Sequence, residues 1–371
     1  MRVVSVVGTR PQLIKAAALS PVLRERHSEV FVDTGQHWDD EMAGNFFAEL
    51  GLPRPDHSLG VGGGSHASQT ARMLTALEPV LEGSAPDAVL VYGDTNSTLA
   101  GALAAAKLGL PVAHVEAGLR SFDRRMPEEL NRIVADHLST WLFAPTPTAV
   151  QNLGAEGRFE GTVLVGDLMQ DLAARTLARV RAEEVLRDAG ARLGLPLTPG
   201  RYAFATIHRA ENREPAAVRA WTGLLGAAAA AIEGPVVLAL HPGTQAVLER
   251  EDVNLPAGIV VVPPLGYTTA LALQLHAAAV LTDSGGVQRE AAWLDVPCLV
   301  LRGTTEWTEA VAGSFGRMIV VGLDTERALG ELRRLAPPGE SGARARRRAA
   351  SVALEPAGAA AAIVAALEAS F

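Results

Sequence analysis

Short apolar runs recur along the chain, and each ends in glycine, polar or charged residues before a segment of helical spacing begins. In the first half such runs predict strands at 2–7, 30–33, 89–92, 112–115, 143–147 and 163–167. Helical spacing lies between them at 13–19, 42–50, 70–81, 99–107, 127–137 and 148–153, followed by one long helix over 168–189. The rhythm then repeats, with strands predicted at 202–206, 236–240, 259–262, 279–282, 297–301 and 318–321, and helices at 268–276, from 285 to about 292, and at 359–367. Strand and helix alternating in this way predict an α/β fold with parallel sheets. Residues 334–346, rich in Pro, Gly and Arg, read as a loose joint.

At 371 residues the chain has length for two domains of about 150 to 200 residues, each burying its own core. The pattern divides it into Rossmann-like domains at 1–170 and 171–371 facing one another across a cleft, with the last helix placed to pack back on the first domain. Apolar residues at 48% and charged residues at 20% fit a globular protein rather than a disordered one. A net charge of -8 supplies no general attraction to polyanions, so a nucleic-acid partner is not expected, whereas loops can still bind small phosphates. Lys15 and Lys107 are the only lysines, and Cys298, the single cysteine, excludes an internal disulfide and sits in a run that reads as buried. The first ten residues lack a signal-peptide pattern, and the apolar stretches stay below the roughly 18 to 20 residues of a membrane span. A cytoplasmic protein with no membrane association is the expectation.

Chemistry concentrates at the predicted strand ends. Gly8, Thr9, Arg10, Pro11 and Gln12 follow the first strand, with Lys15 in the next helix. A glycine turn with two cations can clamp a diphosphate, or it can be a tight turn with Arg10 on a solvated face. Gln36 and His37 follow the second strand, and the glycine-rich loop at 59–69 either closes over a ligand or joins two elements. Asp94 ends the 89–92 run and Glu116 the 112–115 run, where a parallel sheet opens its ligand crevice. Glu128 and Glu129 follow Pro127 at a helix start, and Glu128, Arg132 and Asp136 share a helix face that surface pairing would also explain. His114, inside its strand, reads as a core histidine or as a site residue.

In the second half, His208, Arg209, Glu211 and Arg213 cluster after the strand at 202–206, and His241, Pro242 and Gly243 after the next. Pro263, Pro264, Leu265, Gly266 and Tyr267 form a rigid turn that can offer backbone groups to a base. Asp283, Ser284, Gly285 and Gly286 stand between a strand and a helix start, where amides face a diphosphate, with Glu290 in range of an attached ribose. HExxH, CxxC and GxSxG patterns are lacking, so no metal site and no nucleophile elbow is read.

Taken together, GTRPQLIK at 8–15, TGQH at 34–37, YGDTNSTLA at 92–100, HVEAGLRSFDRRMPEELNR at 114–132, TIHRAEN at 206–212, HPGTQ at 241–245, PPLGY at 263–267, TDSGGVQRE at 282–290 and LRGTTEWTEA at 301–310 resemble the non-hydrolysing UDP-N-acetylglucosamine 2-epimerases, over about residues 1–330. The resemblance implies a glycosyltransferase-B-like architecture, a homodimer, no redox cofactor and no required metal. The reaction it implies converts UDP-GlcNAc to UDP-ManNAc by loss of the C2 proton with anti elimination of UDP, then re-addition with the proton on the opposite face. By matching motifs, Asp94, Glu116 and Glu128 take the places of catalytic carboxylates and His208 that of an essential histidine. Arg10, Lys15, Arg132, His241, Ser284, Gly285 and Gly286 match substrate or phosphate contacts, Glu290 the ribose contact, and Leu265, Gly266 and Tyr267 the uracil-holding backbone. Gln36, His37 and Arg72 match an activator site of some bacterial relatives. TEWTEA at 305–310 and LGVGGGSHASQTARML at 59–74 look more like the branch acting on UDP-2,3-diacetamido-2,3-dideoxy-glucuronic acid, and Arg289 and Gly316–Arg317 also depart from the common pattern. A hydrolysing 2-epimerase, a glycosyltransferase and a non-catalytic nucleotide-sugar binder are the alternatives.

Overall fold

The structure, a computed structural model, describes residues 1–36, 47–240, 242–338 and 354–370. It divides into two units, Met1–Leu172 with Glu355–Phe371, and Ala173–Leu354.

In the first unit β1 (Arg2–Val7), β2 (Ser28–Asp33), β3 (His57–Ser58), β4 (Ala88–Tyr92), β5 (Val112–Val115), β6 (Trp141–Ala144) and β7 (Thr162–Leu164) form one sheet in the order β3-β2-β1-β4-β5-β6-β7. Every pairing is parallel. A parallel sheet is covered on both faces, which is why β4 reads as an unbroken apolar run and β1, after Arg2, as one interrupted only by the buried Ser5, whose hydroxyl donates to Glu29 at 2.6 Å; Val4, Val6, Val89 and Val91 pack there with Met73, Leu77 and Leu81. The order reverses between β1 and β4, so their carboxyl ends flank a switch point, where open α/β sheets bind ligands.

The second unit repeats the plan. Its strands β8 (Ala203–Ile207), β9 (Val236–Leu240), β10 (Ile259–Val262), β11 (Ala279–Thr282), β12 (Cys298–Val300) and β13 (Met318–Val320) run in the order β10-β9-β8-β11-β12-β13, again all parallel. Here the switch point lies between β8 and β11.

Several elements differ from the sequence expectation for local reasons. The helix expected over 168–189 is two, Leu168–Arg179 and Ala182–Leu193, interrupted at Arg181, whose extended backbone is the second helix's cap. The helix expected from 99 starts at Asn96, because the Thr95 hydroxyl accepts from Thr98 N and the Thr98 hydroxyl accepts from Thr95 N, a reciprocal capping box. Of the helix expected over 42–50 and the joint over 334–346, residues 42–46 and 339–346 lie outside the described residues, while 47–50 are helical and Thr325–Leu335 is a helix. Helix Pro215–Ile232 reaches 18 residues at mean hydropathy 1.2, so by length and composition it passes for a membrane span, contrary to the expectation from apolar runs. Val218, Trp221, Leu224, Leu225 and Ile232 on it pack into the second unit's core, which accounts for that composition.

The chain's last helix, Ala359–Glu368, belongs to the first unit. Asp171 caps it by accepting from Gly358 N at 2.8 Å and Ala360 N at 2.9 Å. Glu368 pairs with Arg26 at 2.9 Å and His27 at 3.1 Å, and Trp141 Nε1 donates to Ser370 Oγ at 2.9 Å.

Candidate active site

The first unit gathers its charged residues around the turns after β4 and β5. Glu116 is a non-glycine residue at φ +71°, a backbone state that costs of order 1–3 kcal/mol and persists only where the surroundings enforce it. Two such restraints are visible, since the amides of Glu116 and Ala117 both donate to Phe143 O at 3.1 Å. Its carboxylate meets Lys15 Nζ at 3.1 Å, both side chains being nearly buried. Gly93, at φ +64°, turns the chain beside this pair: a β-carbon there would lie 3.5 Å from Lys15 Nζ and 3.8 Å from Glu116 Oε1. Asp94, next in sequence, accepts from Arg132 Nη2 at 2.6 Å through its carboxylate and from Asn131 Nδ2 at 3.0 Å through its carbonyl. The structure thus brings Lys15, Asp94, Glu116 and Arg132 together at the carboxyl ends of β4 and β5.

Helix Pro127–Leu138 supplies much of this geometry, and here the surface-pairing alternative fails. Arg132 and Asp136 are buried, Arg132 bonding Asp94 and Asp136 bonding His114 at 2.7 Å, so the shared face packs inward instead of forming a solvated lattice. Glu128 is half-buried at the helix start, and its carbonyl accepts from Arg132 Nε at 3.3 Å. Neighbouring Glu129 is buried and accepts from Ser121 N and Oγ at 2.9 Å and from Phe122 N at 3.0 Å, while lying 3.4 Å from Arg132 Nη1. Glu129 therefore fastens the 121–122 backbone to the helix that holds Arg132.

Arg10 begins helix Arg10–Arg24 at the end of β1. The glycine before it serves packing: a β-carbon on Gly8 would overlap the hydroxyls of Thr34 and Ser97, which hydrogen-bond each other at 2.8 Å. The close approach that requires glycine there is to these side chains.

At the second switch point, Asp283 is fully buried and gathers the turn after β8. It accepts from His208 N at 3.0 Å, Arg209 N at 3.0 Å and Asn212 Nδ2 at 2.9 Å, and pairs with His208 Nδ1 at 3.0 Å. Burial alone would raise its pKa, yet His208, Asn212 and the Arg209 amide bring it down to about 2. Because Nδ1 is occupied, Nε2 is the His208 nitrogen that a ligand would meet, and the side chain is 41% exposed.

Ser284 caps helix Gly285–Trp293, its Oγ accepting from Val287 N at 3.4 Å, so Gly285 and Gly286 occupy the first turn, where no earlier helical carbonyl reaches their amides. A β-carbon on Gly285 would lie 3.0 Å from both Glu306 Oε1 and Trp307 Nε1. Glu306 pairs with Arg302 at 2.9 Å and Arg209 at 3.5 Å, and the Arg289 guanidinium stacks on Trp307 at 3.8 Å. Glu290 is buried, and Gln274 Nε2 donates to it at 2.6 Å. Gly266 caps helix Tyr267–His276 after Leu265, with Tyr267 buried.

Two of the three residues matched to an activator site have contacts within the first unit. Gln36 Oε1 accepts from Ser97 N at 2.9 Å and Ser97 Oγ at 2.7 Å, which ties it to a helix start within the fold. Arg72 holds the glycine loop by donating to the carbonyls of Gly62 and Gly63. His37 and His241 lie outside the described residues.

Sequence reasoning passed over Asp136, Arg120, Glu129, Asn131, Glu306 and Trp307 as organisers of these sites. A charge at a helix position that should face the sheet was the available signal for Glu129, Arg132 and Asp136. Among the described residues no group of three or more His, Cys, Asp or Glu is placed to hold a metal ion.

The chain matches the family described as UDP-N-acetylglucosamine 2-epimerase over residues 22–368. It is 43% identical to a UDP-N-acetylglucosamine 2-epimerase homolog of Methanococcus maripaludis, over 92% of this chain and 94% of that one. It is 44% identical to UDP-2,3-diacetamido-2,3-dideoxy-D-glucuronate 2-epimerase of Pseudomonas aeruginosa, over 87% of this chain and 88% of that one. A Methanocaldococcus jannaschii UDP-GlcNAc 2-epimerase crystallised with UDP-GlcNAc and UDP superposes with TM-score 0.87 at 35% identity, each chain covered completely. Both α/β units are of the Rossmann-like kind found in glycosyltransferase-B-like folds. The acid and cation clusters at both switch points therefore sit in the framework of a known enzyme class, and the chain belongs to the non-hydrolysing UDP-N-acetylglucosamine 2-epimerase family of isomerases.

Proposed function

We propose that the protein inverts C2 of UDP-GlcNAc to give UDP-ManNAc. A carboxylate takes the C2 proton while the C1–O bond breaks with its electron pair leaving on UDP, giving a 2-acetamidoglucal; UDP then re-forms the bond to C1 as a proton reaches C2 from the opposite face. A proton beside an acetamido carbon is only weakly acidic, so its removal has to be coupled to a stabilised leaving group. Asp94, Glu116 and Glu128 are assigned to proton transfer and His208 to the leaving diphosphate. Arg10, Lys15, Arg132, His241 and the Ser284–Gly286 helix start are assigned to phosphate and sugar contacts, Glu290 to the ribose, and Leu265–Tyr267 to the uracil.

The observation that carries this reading is the pairing of two acids with two cations at one sheet switch point, Glu116 with Lys15 and Asp94 with Arg132. Each pair sets an acid that can handle the C2 proton beside a cation that can meet the departing diphosphate. A homodimer in the cytoplasm completes the proposal. A second reading, the same inversion on UDP-2,3-diacetamido-2,3-dideoxy-glucuronic acid, is supported by the Pseudomonas aeruginosa relative and by Trp307 in the TEW turn.

The test is incubation of the protein with each UDP-sugar in D₂O, followed by NMR. The expected result is a C2-inverted UDP-sugar carrying deuterium at C2. Inverted product that keeps protium at C2 refutes the elimination route, free sugar identifies a hydrolase, and binding of UDP without exchange refutes catalysis.

A further inference from the structure

His114 lies wholly inside the first unit, one residue before the bend that ends in Glu116, and the proposed mechanism does not use it. Its two ring nitrogens contact the supports of two different turns. Nε2 meets Gly93 O at 2.6 Å, the carbonyl immediately before Asp94. Nδ1 meets Asp136 Oδ1 at 2.7 Å, and the other oxygen of Asp136 accepts from Gly118 N at 3.2 Å, two residues beyond Glu116. A carboxylate and a carbonyl are both acceptors, so the ring sits between two acceptors, one on each turn.

The chain of contacts continues outward. Arg120 Nη2 lies 2.7 Å from Asp136 Oδ2, and Arg120 also grips Glu156, with Nε and Nη2 each at 2.7 Å from one of its oxygens. His137 lies 3.4 Å from Glu156. Burial would raise the Asp136 pKa, but His114 and Arg120 hold it below the ordinary carboxylate range. Asp136 therefore holds Gly118 N as an ionised acid.

We infer that His114 and Asp136 are positioning residues that fix the turn before Asp94 and the turn after Glu116 relative to each other, acting only through the backbone of Gly93 and Gly118. Val115 O, accepting from Gly93 N at 2.9 Å, already joins the two turns; the His114–Gly93 O contact adds the orientation of the Gly93 turn against β5, and Asp136 fixes that of the Gly118 turn. The consequence is geometric: Asp94 and Glu116 belong to different strands, and proton transfer at one carbon tolerates little relative displacement of the two acids. A misplacement near 1 Å costs about 10²-fold in rate. The inference rests on the proposal that these two acids act on the sugar.

Two variants separate positioning from plain core stability. In His114→Gln the amide nitrogen stands where Nε2 was and keeps the bond to Gly93 O; in His114→Asn it stands where Nδ1 was and keeps only Asp136. The expected result is that His114→Asn loses about 10²-fold in kcat with KM and UDP affinity within about 3-fold, while His114→Gln retains kcat within about 10-fold. Equal kcat losses in the two variants, or losses that follow their unfolding temperatures, overturn the inference. If His114→Asn does not fold, Asp136→Asn takes its place with the same expected split of kcat from KM. Independently of activity, the backbone carbonyl ¹³C resonance of Gly93 should shift in His114→Asn and stay near the wild-type position in His114→Gln; an unmoved resonance in His114→Asn also overturns it. A wild-type protein without C2 exchange refutes the functional reading, and the positioning role with it. An active wild type with an unmoved Gly93 refutes the positioning role alone.

Discussion

Asp283 offers the sharpest quantitative prediction because its burial, partners and protonation agree. Replacing it by asparagine keeps the shape and removes the charge toward which the His208 and Arg209 amides, Asn212 Nδ2 and His208 Nδ1 all point. One oxygen becomes an amide group facing donors, which leaves a buried donor unsatisfied at about 1–3 kcal/mol. The charge contributes separately. A folded-state pKa of about 2 against an ordinary 3.8 corresponds to about 2 kcal/mol of stability. Because the folded value is the lower one, that contribution is fully present above about pH 4 and is lost as pH falls toward about 2. Urea unfolding followed by tryptophan emission reads the second unit through Trp221, whose Nε1 donates to Asn212 O at 3.0 Å. At neutral pH Asp283→Asn should be less stable than wild type by roughly 3 to 5 kcal/mol. On acidification to about pH 2 the difference should shrink by about 2 kcal/mol, since wild type alone loses the charge. A difference that stays constant with pH, or an Asp283→Asn protein as stable as wild type, refutes the reasoning.

Asp94→Asn and Glu116→Gln should each lower C2 exchange by at least about 10²-fold while calorimetry finds UDP affinity within about 2-fold of wild type; parallel loss of both would count against proton-transfer roles. Gly8→Ala should destabilise the first unit by about 1–3 kcal/mol in urea unfolding, because the Thr34 and Ser97 hydroxyls occupy the space of the new methyl group. Arg72→Ala should leave global stability within about 0.5 kcal/mol, since the side chain is exposed, yet quicken limited proteolysis at the glycine loop whose carbonyls Arg72 holds. An unchanged cleavage rate would show that the loop is held by other contacts.

The two-unit α/β pattern was legible because strands buried on both faces are mostly apolar, and each run stops where the sheet opens. That rule also led to Asp94, Glu116, His208 and Ser284, all at strand ends. It could not rank them. Glu128 and Glu129 are adjacent acids after one proline, and only packing shows Glu129 buried against the 121–122 amides with Glu128 left half-buried at the helix start. The break at Arg181 escaped periodicity because both flanking segments keep helical spacing and no proline or glycine marks the interruption.

Local sequence was sufficient for strand positions, helix starts and the residue types at strand ends, since all three follow from side-chain spacing and backbone capping within a few residues. The order of the strands required the folded chain, and with it the fact that β1 and β4, and likewise β8 and β11, become neighbours despite their separation in sequence. Pairings such as Lys15 with Glu116, Arg132 with Asp94 and His208 with Asp283 are set at that level. They depend on distances between turns that no local pattern encodes, because each partner is carried by a different strand or helix and only sheet register brings the two within hydrogen-bond reach.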